Sequence, residues 1–178
     1  MPRKSSRETI LDAAEEVVLE GGAGHMTLDA VAKKAGVSKG GLIYNFPTKE
    51  ALLQAMIVRY VERLAAARSK QRVKLADGPT REIRAYVLSC LKRSHKDRRI
   101  GAALLAAVAH DPKLLAPARA IYKKTLDEIV ASGLRRERVA VISLATDGLW
   151  LMELLGVCPF SARQREEVIA ELLRMAEG

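Results

Sequence analysis

Apolar residues recur along this chain three and four positions apart, the spacing that puts one face of a helix against a core. Ile10, Ala13, Ala14 and Val17 share such a face, followed by Leu28, Val31, Ala32 and Ala35, then Leu42 and Phe46. A longer stretch carries Leu52, Met56, Tyr60 and Leu64 and runs from Thr48 to about residue 74. Further on come Ile83, Tyr86, Val87, Cys90 and Leu91, an Ala-rich run from Ile100 to Ala109, and a stripe of Leu114, Leu115, Ala118, Ile121, Tyr122, Leu126 and Ile129. The stretch 134–156 is apolar after a charged first turn, and Val168, Ile169, Leu172, Leu173 and Met175 close the series. The pattern predicts an all-α chain of about nine helices. Residues 100–109 are apolar on every side and should be buried.

Start and stop signals agree with these helices. Ser5 with Glu8, and Ser161 with Gln164, have the spacing of a capping box. The first helix should end at Gly21–Gly22, and Pro47 should end the third. Ala76-Asp77-Gly78-Pro79 is a break, with Pro79 suited to a first helical turn. Asp111 and Pro112 fit the N-cap and first position of the seventh helix.

The most informative segment is Thr27–Lys49, TLDAVAKKAGVSKGGLIYNFPTK. Thr27 is a good N-cap, Gly36 a good left-handed terminator, and Ser38 caps a second short helix. Val37 and Leu42 have the spacing of a hydrophobic staple. If Leu42 and Phe46 face the core, then Lys39, Gly40, Ile43, Tyr44 and Asn45 face outward. A helix, a short turn with glycine and a second helix form the helix-turn-helix pattern that enters a DNA major groove. Gly40 and Gly41 lie in the second helix's first turn, where each costs about 1 kcal/mol relative to alanine. Such a glycine either relieves crowding or lets the backbone approach something large. An anionic phosphate is one candidate, since a helix N-terminus presents free N–H groups.

The run GVSKGGLIYNFPTKEALL resembles the signature of the tetracycline-repressor (TetR) family of bacterial transcriptional regulators, and RETILDAAEEVVLEGGAGHMTLDAVAKKA resembles its first two helices. The resemblance covers roughly residues 5–60. It implies an all-helical homodimer with a three-helix DNA-binding head, residues 1–50, and a helical effector-binding and dimerisation body, residues 51–178, joined by the helix from residue 48. The family commonly has Tyr where this chain has Ile43, with an aromatic or His in the next two positions; here Tyr44 and Asn45 follow. The resemblance also implies a DNA-backbone contact at Lys49, dimerisation through the last two helices, and a ligand among helices five to eight. That ligand would shift helix six and, through helix four, the spacing of the heads.

Charge adds a complication. The chain carries a formal +9, which suits an anionic partner, yet the head is nearly neutral. Residues 1–60 hold eight Lys/Arg against seven Asp/Glu, whereas residues 61–99 hold twelve against four. The densest run is KRSHKDRR, residues 92–99, read as a loop that could return to DNA phosphates if helix five runs back toward the head. The basic arm of Pro2, Arg3 and Lys4 reads as a tail with the same option.

The expected DNA contacts are therefore Thr27, Ser38, Lys39, Gly40, Gly41, Ile43, Tyr44, Asn45 and Lys49. Lys39 is the expected base reader, since an ammonium can reach guanine O6 and N7. Thr27, Ser38, Tyr44, Asn45 and Lys49 are the expected phosphate contacts. The candidate effector-lining residues are Tyr86, Cys90, Leu104, Tyr122, Asp147, Trp150 and Met152. Asp147 stands out: an acid in an apolar helix needs a partner, whether a helix end, a tyrosine or a cationic effector.

No Ser/His/Asp set, paired-carboxylate motif, P-loop or metal spacing is present, so no catalytic activity, cofactor or metal is expected. Cys90 and Cys158 read as reduced structural residues, the N-terminus lacks an export signal and the Val139–Val157 run is too interrupted to span a membrane; the expected location is the cytoplasm. The leading expectation is a repressor released from a near-palindromic operator by a small molecule. An effector-independent DNA-binding protein, or a helical-bundle binding protein or enzyme with a vestigial head, remains open.

Overall fold

A computed structural model describes residues 5–91 and 93–177. Nine α-helices and no strand are present among them: α1 (Ser6–His25), α2 (Leu28–Ala35), α3 (Lys39–Asn45), α4 (Lys49–Arg72), α5 (Arg81–Leu91), α6 (His95–His110), α7 (Ala116–Ala131), α8 (Arg136–Leu154) and α9 (Ala162–Glu177). A 3-10 turn, Pro112–Leu115, precedes α7, with the Asp111 side chain accepting from the Lys113 N–H. The arm at Pro2, Arg3 and Lys4, and Lys92 of the basic run, lie outside the described residues.

The chain forms two compact units. The first takes in residues up to Val61 together with His95–Arg119; the second takes in Glu62–Ser94 and the residues from Ala120 onward. The first unit therefore holds more than the stretch 1–50, because α6 packs on α1 within it.

In the first unit, Ser5 caps α1 by accepting from the Glu8 N–H. Gly22, at φ 80°, breaks the helical path before the final turn to His25. Ile10, Leu11, Ala13, Ala14 and Val18 are buried, and Val17 is only half-buried. Among them sits Glu15, a carboxylate 1% exposed. Arg59 on α4 approaches it at 3.8 Å and Lys96 on α6 at 3.7 Å. Arg59 also pairs with Asp12 and, at 3.7 Å, with Glu8. Burial works against the Arg59 charge, but the Asp12 hydrogen bond and the neighbouring carboxylates outweigh it and raise its pKa.

This network corrects the expectation for residues 92–99 and for α6. The helix begins at His95, not Ile100, so the end of the basic run is its first turn. Cations at a helix N-terminus oppose the backbone dipole. Here Lys96 meets Glu15, and Arg99 donates to the Leu19 carbonyl at 2.8 Å, which offsets that cost. Nor is α6 buried all round: Ile100, Gly101 and Leu104 are, whereas Ala102, Ala106 and Ala109 are exposed.

The second unit's core gathers Ile83, Tyr86, Val87, Cys90 and Leu91 of α5, Ile129 of α7, Val139, Ile142 and Leu149 of α8, and Leu172 and Ala176 of α9. Pro79 lies outside α5, in a turn closed by the Arg81 N–H on the Gly78 carbonyl at 3.1 Å. The α9 capping box forms in both directions: the Gln164 N–H donates to Ser161 Oγ at 3.3 Å and the Ser161 N–H to Gln164 Oε1 at 2.9 Å. Arg165 ties α9 down by pairing with Glu153 and donating to the Leu91 carbonyl at 2.9 Å.

Candidate functional site

Local chemistry builds the α2–turn–α3 segment. Thr27 Oγ1 accepts from the Ala30 N–H at 3.1 Å and opens α2. Gly36 closes it at φ 66°, ψ 31°, a conformation glycine reaches without the Cβ penalty. Ser38 Oγ accepts from the Gly41 N–H at 3.1 Å and opens α3. Leu42 is fully buried and Phe46 is 3% exposed, anchoring one face of α3. Burying two such side chains stabilises the arrangement by about 1.5–3 kcal/mol each. The Arg7 guanidinium lies 5.2 Å from the Phe46 ring centroid, adding a cation–π contact from α1.

The opposite face of α3 is bare. Tyr44 is 89% exposed and Ile43 39%, and Lys39, Gly40 and Gly41 are also exposed. The two glycines differ. A Cβ on Gly41 would meet Ser38 Oγ at 3.2 Å, so local crowding accounts for that glycine. A Cβ on Gly40 would meet nothing within 4 Å, so nothing among the described residues requires glycine there.

Three polar residues have internal partners. The Lys39 ammonium sits 3.0 Å from Asp29 Oδ1 and 3.3 Å from Oδ2, reaching back to the first turn of α2. The Lys49 ammonium donates to the Gly24 carbonyl at 2.9 Å. Asn45 is engaged more fully: its amide nitrogen donates to the Gly41 carbonyl at 2.9 Å and to Ser6 Oγ at 3.2 Å. In this structure both of its amide N–H donors are thus spent within the chain. Thr27 and Ser38 likewise use their hydroxyls as caps.

In the second unit, Asp147 finds two tyrosines. The Tyr86 hydroxyl donates to its carboxylate at 2.7 and 2.9 Å, and the Tyr122 hydroxyl at 2.6 Å. Burial, then the hydrogen bond to Asp147, push the Tyr122 phenol up to about 12. Burial also raises Tyr86. Cys90 is buried beside Tyr86, its thiol raised by burial and opposed by Arg93, whose Nη2 lies 3.5 Å from Sγ. The Arg93 guanidinium stacks 4.2 Å from the Trp150 ring centroid. The Trp150 indole N–H is buried without a hydrogen-bond partner among the described residues. Tyr86, Cys90, Tyr122, Asp147 and Trp150 thus belong to one polar seam that runs from the apolar core to the surface at Tyr122. Met152 is half-buried in the same unit, and Leu104 is buried on α6 in the first unit. Sequence reasoning missed Arg93 as a member of this seam; its i+3 spacing from Cys90 is the signal that points to it.

The last two helices keep a large apolar surface. Val141, Leu144 and Leu151 of α8 and Leu155, its C-cap, are 37–70% exposed and recur at coiled-coil spacing, with Gly148 between them. Phe160, Gln164, Glu167, Val168, Glu171 and Leu172 line an open cavity of about 360 Å³ along α9. Among the described residues no group of three or more His, Cys, Asp or Glu could hold a metal ion. No helix there is long and apolar enough to cross a membrane.

A helix-turn-helix head on a helical body defines a class of DNA-binding regulators. The family model for bacterial regulatory proteins of the tetR family matches residues 10–56, and that for the tetracyclin repressor-like C-terminal domain matches residues 80–177. The chain belongs to the TetR family and is a DNA-binding transcriptional regulator. It is 28% identical to the HTH-type transcriptional regulator BetI of Stenotrophomonas maltophilia, covering 94% of this chain and 93% of that protein. It is 26% identical to BetI of Burkholderia thailandensis, covering 90% and 88%. Among solved structures, a TetR-family member from Streptomyces coelicolor superposes with a TM-score of 0.71 at 24% identity, covering 95% of this chain and 98% of that one. The multidrug binding protein EbrR complexed with malachite green gives 0.70 at 24% identity, covering 93% and 96%. These two likenesses show the fold.

Proposed function

We propose that the chain is a repressor that binds a near-palindromic operator as a homodimer and leaves it when a small molecule binds the body. The observation that carries this reading is the bare face of α3, where Lys39, Gly40, Ile43 and Tyr44 stand exposed over the buried anchors Leu42 and Phe46. A helix held this way can enter a major groove, with Lys39 reading guanine and Gly40 letting the backbone approach phosphate. The hydroxyls of Thr27, Ser38 and Tyr44 and the ammonium of Lys49 supply positioning contacts. The α2–α3 geometry supports this assignment, and the coiled-coil stripe on α8 with the α9 cavity supports pairing through the last two helices.

The Tyr86–Asp147–Tyr122 seam, with Cys90, Arg93 and Trp150, is the site proposed for the effector. A half-buried carboxylate satisfied by two neutral hydroxyls, with the buried Trp150 indole N–H that has no partner among the described residues, offers both an acceptor and a donor to an incoming molecule. Selecting bound fragments from the source genome tests the DNA reading and yields the operator. Lys39→Ala should then lower the ratio of operator to random-DNA affinity; an unchanged ratio would remove Lys39 as a reader. A chain that enriches no sequence above background refutes the operator reading.

A further inference from the structure

Lys39 is a flexible side chain on an exposed helical turn, and a flexible ammonium is a poor reader. Its stem has four rotatable bonds, and any nearby phosphate can attract it. In this structure the ammonium is paired. Both carboxylate oxygens of Asp29 lie within 3.3 Å of Nζ, across the turn from α3 to α2. Asp29 is exposed and sits in the first turn of α2, two residues after the Thr27 cap. An acid facing DNA repels phosphate, so its place on this surface calls for a reason. Favourable interaction with the α2 dipole is one. It does not account for both oxygens converging on the lysine of the neighbouring helix.

We infer that Asp29 is a positioning residue for DNA reading: it holds the Lys39 ammonium at the start of α3, so that its remaining N–H donors point into the groove rather than toward the phosphate backbone. The inference rests on the proposed reading of Lys39 as the base-contacting residue. Three donors radiate from an ammonium. Those not spent on Asp29 are left for guanine O6 and N7, and the ordering of the side chain is then complete before DNA arrives. Ordering one long side chain corresponds to about a two- to tenfold change in affinity. Asp29 thereby favours the duplex whose bases meet the lysine where it is held, while its own charge repels every duplex alike.

The test is a double-mutant cycle on the full-length protein, using an operator obtained by genomic selection and a scrambled duplex of equal length. Asp29→Asn keeps the shape of an exposed side chain and removes its charge. It should lower the ratio of operator to scrambled affinity by about two- to tenfold. It should also steepen the salt dependence of scrambled binding by about one phosphate contact, as the freed lysine finds the backbone. In a Lys39→Ala background the same change should leave the ratio and the added slope unaltered, since there is no ammonium to position. An unchanged or increased ratio in Asp29→Asn would mean that the pair merely masks the lysine, and would overturn the inference. So would an equal fall in both backgrounds, which reports a general charge effect. If the wild-type chain does not discriminate operator from scrambled DNA, the operator reading itself has failed, a result distinct from either.

Discussion

Gly40 offers a test in which stability and DNA affinity should move in opposite directions. It occupies the second position of α3, with Ser38 as the cap. A methyl group placed there meets no atom within 4 Å. Alanine is preferred over glycine in a helix by up to about 1 kcal/mol, and it narrows the unfolded ensemble by about 0.4–1 kcal/mol, the same entropy viewed from the other side. First-turn positions realise only part of this, so Gly40→Ala should stabilise the head by about 0.4–1 kcal/mol. For a chain of this length that corresponds to a Tm increase of about 1–4 °C. On DNA the sign reverses. If the α3 backbone approaches a phosphate, the added carbon holds it off and weakens a charge-assisted hydrogen bond worth about 1.5–3 kcal/mol. Operator affinity should then fall about tenfold for alanine and further for Gly40→Leu, which extends into the same open space. Circular dichroism melts give the first quantity, and fluorescence anisotropy with a selected operator at fixed salt gives the second. Variants that keep their fold and bind within about twofold of wild type would show that the start of α3 does not approach the duplex. A lower Tm for Gly40→Ala would refute the reading of open space.

Three further outcomes follow from the structure. Glu15→Gln removes the charge that Arg59 and Lys96 share on the buried side of α1. Each attraction is about 4 kcal/mol at an effective dielectric near 20, opposed by several kcal/mol of desolvation, so a net loss of about 1–3 kcal/mol is expected from urea midpoints; a change under about 0.5 kcal/mol would refute the network's role. Tyr122→Phe should be less stable than wild type at pH 8, with the gap closing as pH rises from about 10 to about 12. The unfolded phenol ionises near 10 while the folded one is held up to about 12, so the bond's contribution is intact below the first value and lost through the second. Because Tyr122 is 40% exposed, the change in gap should be only about 1 kcal/mol, and a gap constant from pH 8 to 12 would contradict the Asp147 bond. Leu144→Asp alters a residue 70% exposed in the single chain, so the fold should survive while sedimentation shows monomer; a persistent dimer at micromolar concentration would move the interface elsewhere.

Local rules make the head legible from residue order. Thr27, Gly36 and Ser38 act through bonds spanning three or four residues, and Leu42 and Phe46 follow from helical spacing. The Ser161–Gln164 box is readable for the same reason. Asp147 is recognisable as a residue needing a partner, but Tyr86 and Tyr122 lie 61 and 25 positions away. No one-dimensional pattern chooses among the tyrosines. Helical spacing places Asn45 on the outer face of α3, but its bond to Ser6, 39 residues away, is not readable from that spacing.

The basic run from residue 92 marks the boundary most clearly. Its composition announces an excess of positive charge, and composition alone favours an anionic partner. Tertiary packing decides where three of those cations go: Lys96 to Glu15, Arg99 to the Leu19 carbonyl and Arg93 onto Trp150. Helix type, ends and apolar faces depend on interactions within a turn or two of chain, and residue order carries them by itself. The destination of a charge depends on which distant acceptor the packed helices bring within about 4 Å, and only the folded chain decides that.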